Sequence, residues 1–181
     1  MNSDNQPYIL RRLDSSDIDN LFTYVSLLST ETRNRFGPHA FDKPSIIDFY
    51  ADETNIQLGY IALDLLTNDI LAYAIIKKGY LEHDRSRLEL YGLLLDPDHD
   101  CTFALSVADS WQGKGLGESV FQFILNDLKS RNIKRIILWG GVQADNQRAV
   151  NYYLSNGFTR LGQFEYNGLN HDMILSIDQA K

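Results

Sequence analysis

Two hydrophobic periods alternate along this chain, and the points where one gives way to the other outline its elements. Residues 8–13, YILRRL, read as a short strand. In DSSDIDNLFTYVSLLS, Ile18, Leu21, Phe22, Val25 and Leu28 recur at helical spacing behind an Asp or Ser N-cap. Residues 32–43, TRNRFGPHAFDK, carry helix breakers and read as a loop. Pro44 then opens a short helical piece, PSIIDFYAD, in whose first turn its missing N–H costs nothing. From Asn55 the period shortens to two. NIQLGYIALD, a TND turn and ILAYAIIKKG predict an antiparallel hairpin, and LEHDRSRLELYGLLL continues the strand-like character less clearly. After the turn DPDHD, CTFALSVAD predicts a buried strand, followed by a helix from Leu116 to about Arg131 and the strand RIILWGGV. A helix from about Asn146 to Ser155 ends at Gly157, and FTRLGQFEYNGLNHDMILSI predicts two strands around Asn167-Gly168. Strands early and late, with two strand–helix units between them, predict a mixed sheet with helices packed on it. With no repeat, low-complexity tract or Pro/Gly-rich linker, residues 1–181 read as a single domain.

Composition narrows the function classes more than the fold. Lys and Arg total 17 against 24 Asp and Glu, a formal net charge of -7, so no nucleic-acid partner is expected. Asp48, Asp52, Glu53, Glu82 and Asp84 would suit a polyamine or aminoglycoside, although a solvated acidic surface is the simpler account. The lone Cys101 excludes an internal disulfide and fits a reducing compartment. MNSDNQPYIL lacks the features of a signal peptide, and no apolar run approaches the roughly 18 residues a membrane span needs, so a cytoplasmic location is expected. His39, His83, His99 and His171 are scattered without metal-ligand spacing, and no metal is expected.

The informative stretch is QGKGLG, residues 112–117, between the strand CTFALSVAD and the helix that opens at Leu116. The first N–H groups of such a helix lack internal partners and carry partial positive charge. Glycines at 113, 115 and 117 let an anion approach the backbone without Cβ atoms in the way, which suits a diphosphate. A tight turn alone would need fewer. The spacing is neither Walker A, because Gly115 follows Lys114, nor the dinucleotide G-x-G-x-x-G.

What fits is the Q/R-x-x-G-x-G/A signature of the GNAT acetyltransferases, which this segment resembles at Gln112, Gly115 and Gly117. A second segment, NQRAVNYYLSNGF, resembles the family's N-x-x-A-x-x-x-Y-x-x-x-G-F element at Asn146, Ala149, Tyr153, Gly157 and Phe158. As structure alone it would be an N-cap, a buried helix stripe and a C-cap, roles compatible with function. The two segments in this order, joined by a strand, are more specific than either one. The resemblance is strong over residues 101–177 and rests on element order before them.

The resemblance implies an α/β (α+β) fold: a GNAT-type mixed, mostly antiparallel sheet of six to seven strands, with helices on both faces and a cofactor cleft between two splayed central parallel strands. It implies an N-acetyltransferase using acetyl-CoA as co-substrate, with a small-molecule or protein amine as acceptor, no membrane partner, and a homodimer among the assemblies it allows. Gln112, Gly113, Lys114, Gly115, Leu116 and Gly117 would take the diphosphate. The backbone of Leu105, Ser106 and Val107 would hold the pantetheine arm like an added strand, and Asn146 would contact that arm. Tyr153 is the implied general acid, since a phenol with an ordinary pKa of about 10 stays protonated at neutral pH. Tyr152 lies one step, about 100°, around the helix and reads as a packing residue. For the base, Asp100 is the first choice, with Glu89, Asp109 or ordered water as alternatives; Cys101 reads as an inert buried thiol. A non-catalytic acyl-CoA-binding module would keep the glycines without needing the acid.

Overall fold

The computed structural model of the protein describes residues 7–51 and 57–177. Asp52, Glu53, Asn55 and Ile56, which entered the acidic group and the predicted hairpin, lie outside the described residues, as do residues 1–6. The first part runs β1 (Tyr8–Arg12), α1 (Ile18–Leu27), α2 (Thr30–Asn34), α3 (Lys43–Ala51), β2 (Gln57–Asp64), β3 (Ile70–Lys78) and α4 (Arg85–Leu90). It continues with β4 (Asp100–Val107), α5 (Leu116–Ser130), β5 (Arg135–Leu138), β6 (Val142–Gln143), α6 (Gln147–Ser155), β7 (Thr159–Glu165) and β8 (Leu169–Ser176). Among the described residues eight strands form one sheet in the order β1-β2-β3-β4-β5-β8-β6, with β7 on β8. β6, only two residues long, is the strand beyond the six or seven expected.

Pairing is mostly antiparallel: β1 with β2, and β5, β6 and β7 each with β8. Gly79 N–H donates to Asp100 C=O (2.8 Å) and Ala108 N–H to Leu71 C=O (2.9 Å), so β3 and β4 also run in opposite directions. The parallel pair is β4 with β5, in register from Asp100↔Arg135 to Phe103↔Leu138, where β5 stops. This is the mixed sheet with helices that the pattern predicts. The chain divides into two compact units, Met1–Ile75 with Leu105–Ile124, and Ile76–Ala104 with Leu125–Lys181; β3, β4 and α5 contribute residues to both.

In the first unit the hairpin of β2 and β3 turns where Asp64 Oδ1 accepts the N–H groups of Leu66 (2.8 Å) and Thr67 (3.0 Å). Its core holds Leu21 and Val25 of α1, Ile46 of α3, Tyr60, Tyr73 and Ile124, each with 1% exposure or less. Burying each such side chain contributes about 1.5–3 kcal/mol. The predicted loop 32–43 begins inside α2, whose N-cap Ser29 accepts from Thr32 N–H (3.2 Å). No helix among the described residues is long and apolar enough to cross a membrane.

In the second unit, two differences from the sequence pattern have plain causes. Within the strand-like stretch 81–95, residues 82–90 are helical, a 3-10 turn over Glu82–Asp84 leading into α4. Leu88 alone of the six residues of α4 is buried, while Arg85 pairs with Glu82 (3.3 Å) and Glu89 (3.1 Å) at helical spacing. RIILWGGV divides because Gly140 (φ 61°) and Gly141 (φ 72°) leave the extended region, so β6 pairs separately with β8.

Arg87 of α4 organises the polar interior of this unit. It donates from Nε and Nη2 to Asp172 (2.7 and 3.1 Å) and from Nη2 to Asp84 (2.7 Å). Its guanidinium lies 3.6 Å from the ring centroid of Phe164. Asp84 and Asp172 are 4% and 2% exposed, so both carboxylates depend on this one cation for most of their pairing. Arg87→Ala should therefore cost about 3–5 kcal/mol. Chemical denaturation would register that as a lower midpoint, and a loss under 1 kcal/mol would show that water replaces the guanidinium.

Candidate functional site

The first unit carries the glycine turn. β4 ends at Val107, a 3-10 turn covers Asp109–Trp111, and residues 112–115 lead into α5. Gly113 (φ 73°) and Gly115 (φ 82°) occupy the left-handed region that side chains disfavour. A Cβ on either would meet nothing within 4 Å, so backbone conformation rather than packing requires glycine, and the space before the turn is open. The N–H groups of Gly113, Lys114, Gly115 and Leu116 have no acceptor among the described residues; behind them, Ser119 N–H donates to Gly115 C=O (3.2 Å). That array at a helix start is a diphosphate-sized set of donors, and the residues present fit coenzyme A's diphosphate. Lys114 Nζ lies 5.6 Å from the Trp111 ring centroid, and Trp111 packs edge-on against Tyr8, whose hydroxyl donates to Ser119 Oγ (3.0 Å). Gly117 sits in the first turn of α5.

Gln112 faces another way. Its Nε2 donates to Val107 C=O (3.0 Å) and approaches Thr32 Oγ1 (3.3 Å) and Asp109 Oδ1 (3.4 Å), so the amide is engaged with the end of β4. Asp109 accepts from Ser29 N–H (2.9 Å), Ser29 Oγ (2.9 Å) and Thr32 Oγ1 (2.7 Å). Burial pushes its pKa up, but the Thr32 and Ser29 donors outweigh that and hold the carboxyl below the usual carboxylate range. Ser29 and Thr32 were absent from the sequence-based site. Ser29 is legible as an N-cap, whereas its partner Asp109 lies 80 residues away and leaves no local signal.

Along β4, Ser106 turns inward while Leu105 and Val107 are half-buried. Ser106 Oγ donates to Tyr73 C=O (3.2 Å), which leaves it to accept from the Tyr24 hydroxyl (3.0 Å). Its side chain is thus fully committed, and only its backbone remains for a ligand.

The second unit carries Asn146, Tyr153 and Asp100. Asn146 caps α6, its Oδ1 accepting from Ala149 N–H (3.2 Å), and its Nδ2 has no partner among the described residues. About two turns further along, Tyr153 packs against Tyr152 and Phe158, with ring centroids 5.2 Å away in both cases. Burial raises its phenol above the ordinary value, and its hydroxyl has no hydrogen-bond partner among the described residues. It is a proton donor with nothing to donate to. Asp100, the first choice for a base, is 2% exposed, and its Oδ2 accepts from Arg135 Nη2 (2.6 Å) and Asp96 N–H (2.8 Å). That ion pair holds it at the β4–β5 ladder, with Oδ2 engaged by two donors. Glu89 accepts from Arg85 Nε (3.1 Å) on α4. Cys101 is fully buried, and desolvation pushes its thiol pKa up, as expected of an inert thiol. Among the described residues no group of three His, Cys, Asp or Glu is placed to hold a metal.

Both segments of the predicted site fall within residues 23–158, which match the model of the acetyltransferase (GNAT) family. The chain belongs to the GNAT acetyltransferase family. An uncharacterized N-acetyltransferase of the pepI 3′ region from Lactobacillus delbrueckii subsp. lactis is 39% identical over 54 residues, 30% of each chain's length. The fold is shared with ribosomal-protein-S5-alanine acetyltransferase from Vibrio fischeri (TM-score 0.72, 15% identity, 98% of this chain and 97% of that one). It is shared also with spermidine N-acetyltransferase from Vibrio cholerae in complex with CoA and spermine (TM-score 0.69, 18% identity, 97% and 98%).

Because the folded pKa of Asp109 is depressed, its network stabilises this GNAT chain fully above the unfolded carboxyl pKa of about 3.9 and loses that contribution as pH falls through the lower folded value. Asp109→Asn should melt below wild type at neutral pH, with the gap closing under acid. A gap that stays constant down to pH 3 would show that the charge contributes nothing.

Proposed function

We propose that the protein is an N-acetyltransferase that moves the acetyl group of acetyl-CoA to a primary amine of a small molecule or a protein, by direct attack in a ternary complex. The glycine turn carries this proposal: two left-handed glycines, open space before them, and four N–H groups leading into α5 that have no acceptor among the described residues. Acetyl-CoA supplies the acetyl group as an activated thioester. The N–H groups of residues 113–116 bind its diphosphate. The main chain of Leu105, Ser106 and Val107 receives the arm as an added strand, and an N–H there polarises the thioester carbonyl. Asn146 offers its Nδ2 to the arm.

In the reaction the amine nitrogen bonds to the acetyl carbon and the carbon–sulfur bond breaks. Tyr153 gives its proton to the departing sulfur, and its raised phenol pKa keeps it protonated across the neutral range. The amine releases its proton to water. Asp100 is left to anchor the β4–β5 pair through Arg135, because its carboxylate is already taken. Amine acceptors are supported by the names of the solved relatives, one a spermidine and one a ribosomal-protein-alanine acetyltransferase. We place residues 1–181 in one acetyltransferase domain, working in the cytoplasm.

Heat denaturation with acetyl-CoA, CoA or ATP tests the binding half. A ligand at a hundredfold excess over its dissociation constant adds about 2.7 kcal/mol of stability, a rise of about 5–10 °C for a chain of this size. Both CoA species should produce it and ATP should not; no rise with CoA overturns the proposal. For the chemical half, Tyr153→Phe should lower kcat about 100-fold or more in a thiol-release assay over a panel of primary amines, with the CoA-induced rise intact. An unchanged kcat would remove Tyr153 from the acid role.

A further inference from the structure

The turn between α1 and α2 is tied to the glycine turn by side chains that the proposed reaction does not use. Ser29 gives Asp109 its main-chain N–H and its hydroxyl, and Thr32 gives its hydroxyl. Having donated its one proton at 2.7 Å, Thr32 Oγ1 can only accept from Gln112 Nε2 at 3.3 Å. The second Nε2 proton of Gln112 goes to Val107 C=O (3.0 Å). Asp109, Thr32 and Gln112 thus close a ring joining three segments: the start of α2, the end of β4, and the first residue of the glycine turn.

We propose that this ring is a latch through which the start of α2 senses occupancy of the glycine turn, with Asp109 and Gln112 as positioning residues; the proposal rests on the acetyl-CoA assignment above. The turn beyond Gln112 has four N–H groups without acceptors among the described residues, so a diphosphate that binds them removes freedom from the segment Gln112 belongs to. An immobilised Gln112 loses less entropy in holding Thr32, and the ring closes more firmly. The effect is reciprocal, so a closed latch strengthens cofactor binding by the same factor. Residues 35–43, which follow α2 directly, are thereby tied to the occupied turn through α2. The latch also gives Gln112 a purpose that its orientation explains, since its amide grips the β4 backbone and not the open side of the turn.

Hydrogen exchange read by mass spectrometry, with and without CoA, tests the latch. In the wild type, CoA should slow exchange in residues 29–34 about fivefold or more, the lower end of usual coupling energies. Asp109→Asn should abolish that slowing. Thr32→Val, a gentler cut that removes one half-buried hydroxyl, should abolish it too while CoA still raises the melting temperature. Unchanged exchange in residues 29–34 of a CoA-binding wild type overturns the latch and leaves the cofactor assignment standing. Persistent slowing in Thr32→Val also overturns it, as does loss of CoA binding there, which would make Thr32 part of the cofactor site. No CoA-induced melting shift in the wild type removes the cofactor assignment and the latch together.

Discussion

Two parallel strands cannot be joined by a tight turn; the chain must cross back over the sheet, and a helix is the economical way to do it. β4 and β5 are such a pair, and α5 is their crossover. This constraint puts a helix start directly after the carboxyl end of β4. Its N–H groups then face whatever lies beyond the strand, and the segment between strand and helix must reverse within a few residues. Left-handed backbone at Gly113 and Gly115 accomplishes the reversal. The donor array is therefore a by-product of topology, and the sequence contributes chiefly by keeping side chains out of it.

The carboxylates near these segments follow one rule despite the chain's negative balance. Asp109 is held by Ser29 and Thr32, Asp100 by Arg135, and Asp84 and Asp172 by Arg87. Each of these carboxylates has its lone pairs engaged by strong donors and so serves to tie segments of the fold together. Tyr153 shows the reverse arrangement, a hydroxyl with no acceptor among the described residues. The pairing pattern separates groups that hold the fold from a group left free to react.

Local signals were legible where a residue's role depends on its near neighbours. The Asn167-Gly168 hairpin, the cap at Asn146 and the apolar stripe of α5 all satisfy short-range geometry, and each stands where the spacing predicts. The helix at Arg85–Leu90 was missed because a single buried position, Leu88, carries no period, and because it is secured from outside by Asp172. The network at Asp109 was invisible for the same kind of reason: its donors belong to a turn far away in sequence. Gln112 was found by motif, but its hydrogen bonds to Val107 and Thr32 could come only from coordinates.

Cys101, the one thiol in the chain, is fully buried within β4, among the residues that pair with β5. A thiol reagent can reach it only when that part of the sheet opens, so its rate of labelling under native conditions reports the opening equilibrium of the second unit. The molecule thus contains its own probe of local unfolding, silent while folded, at the strand on which both units draw.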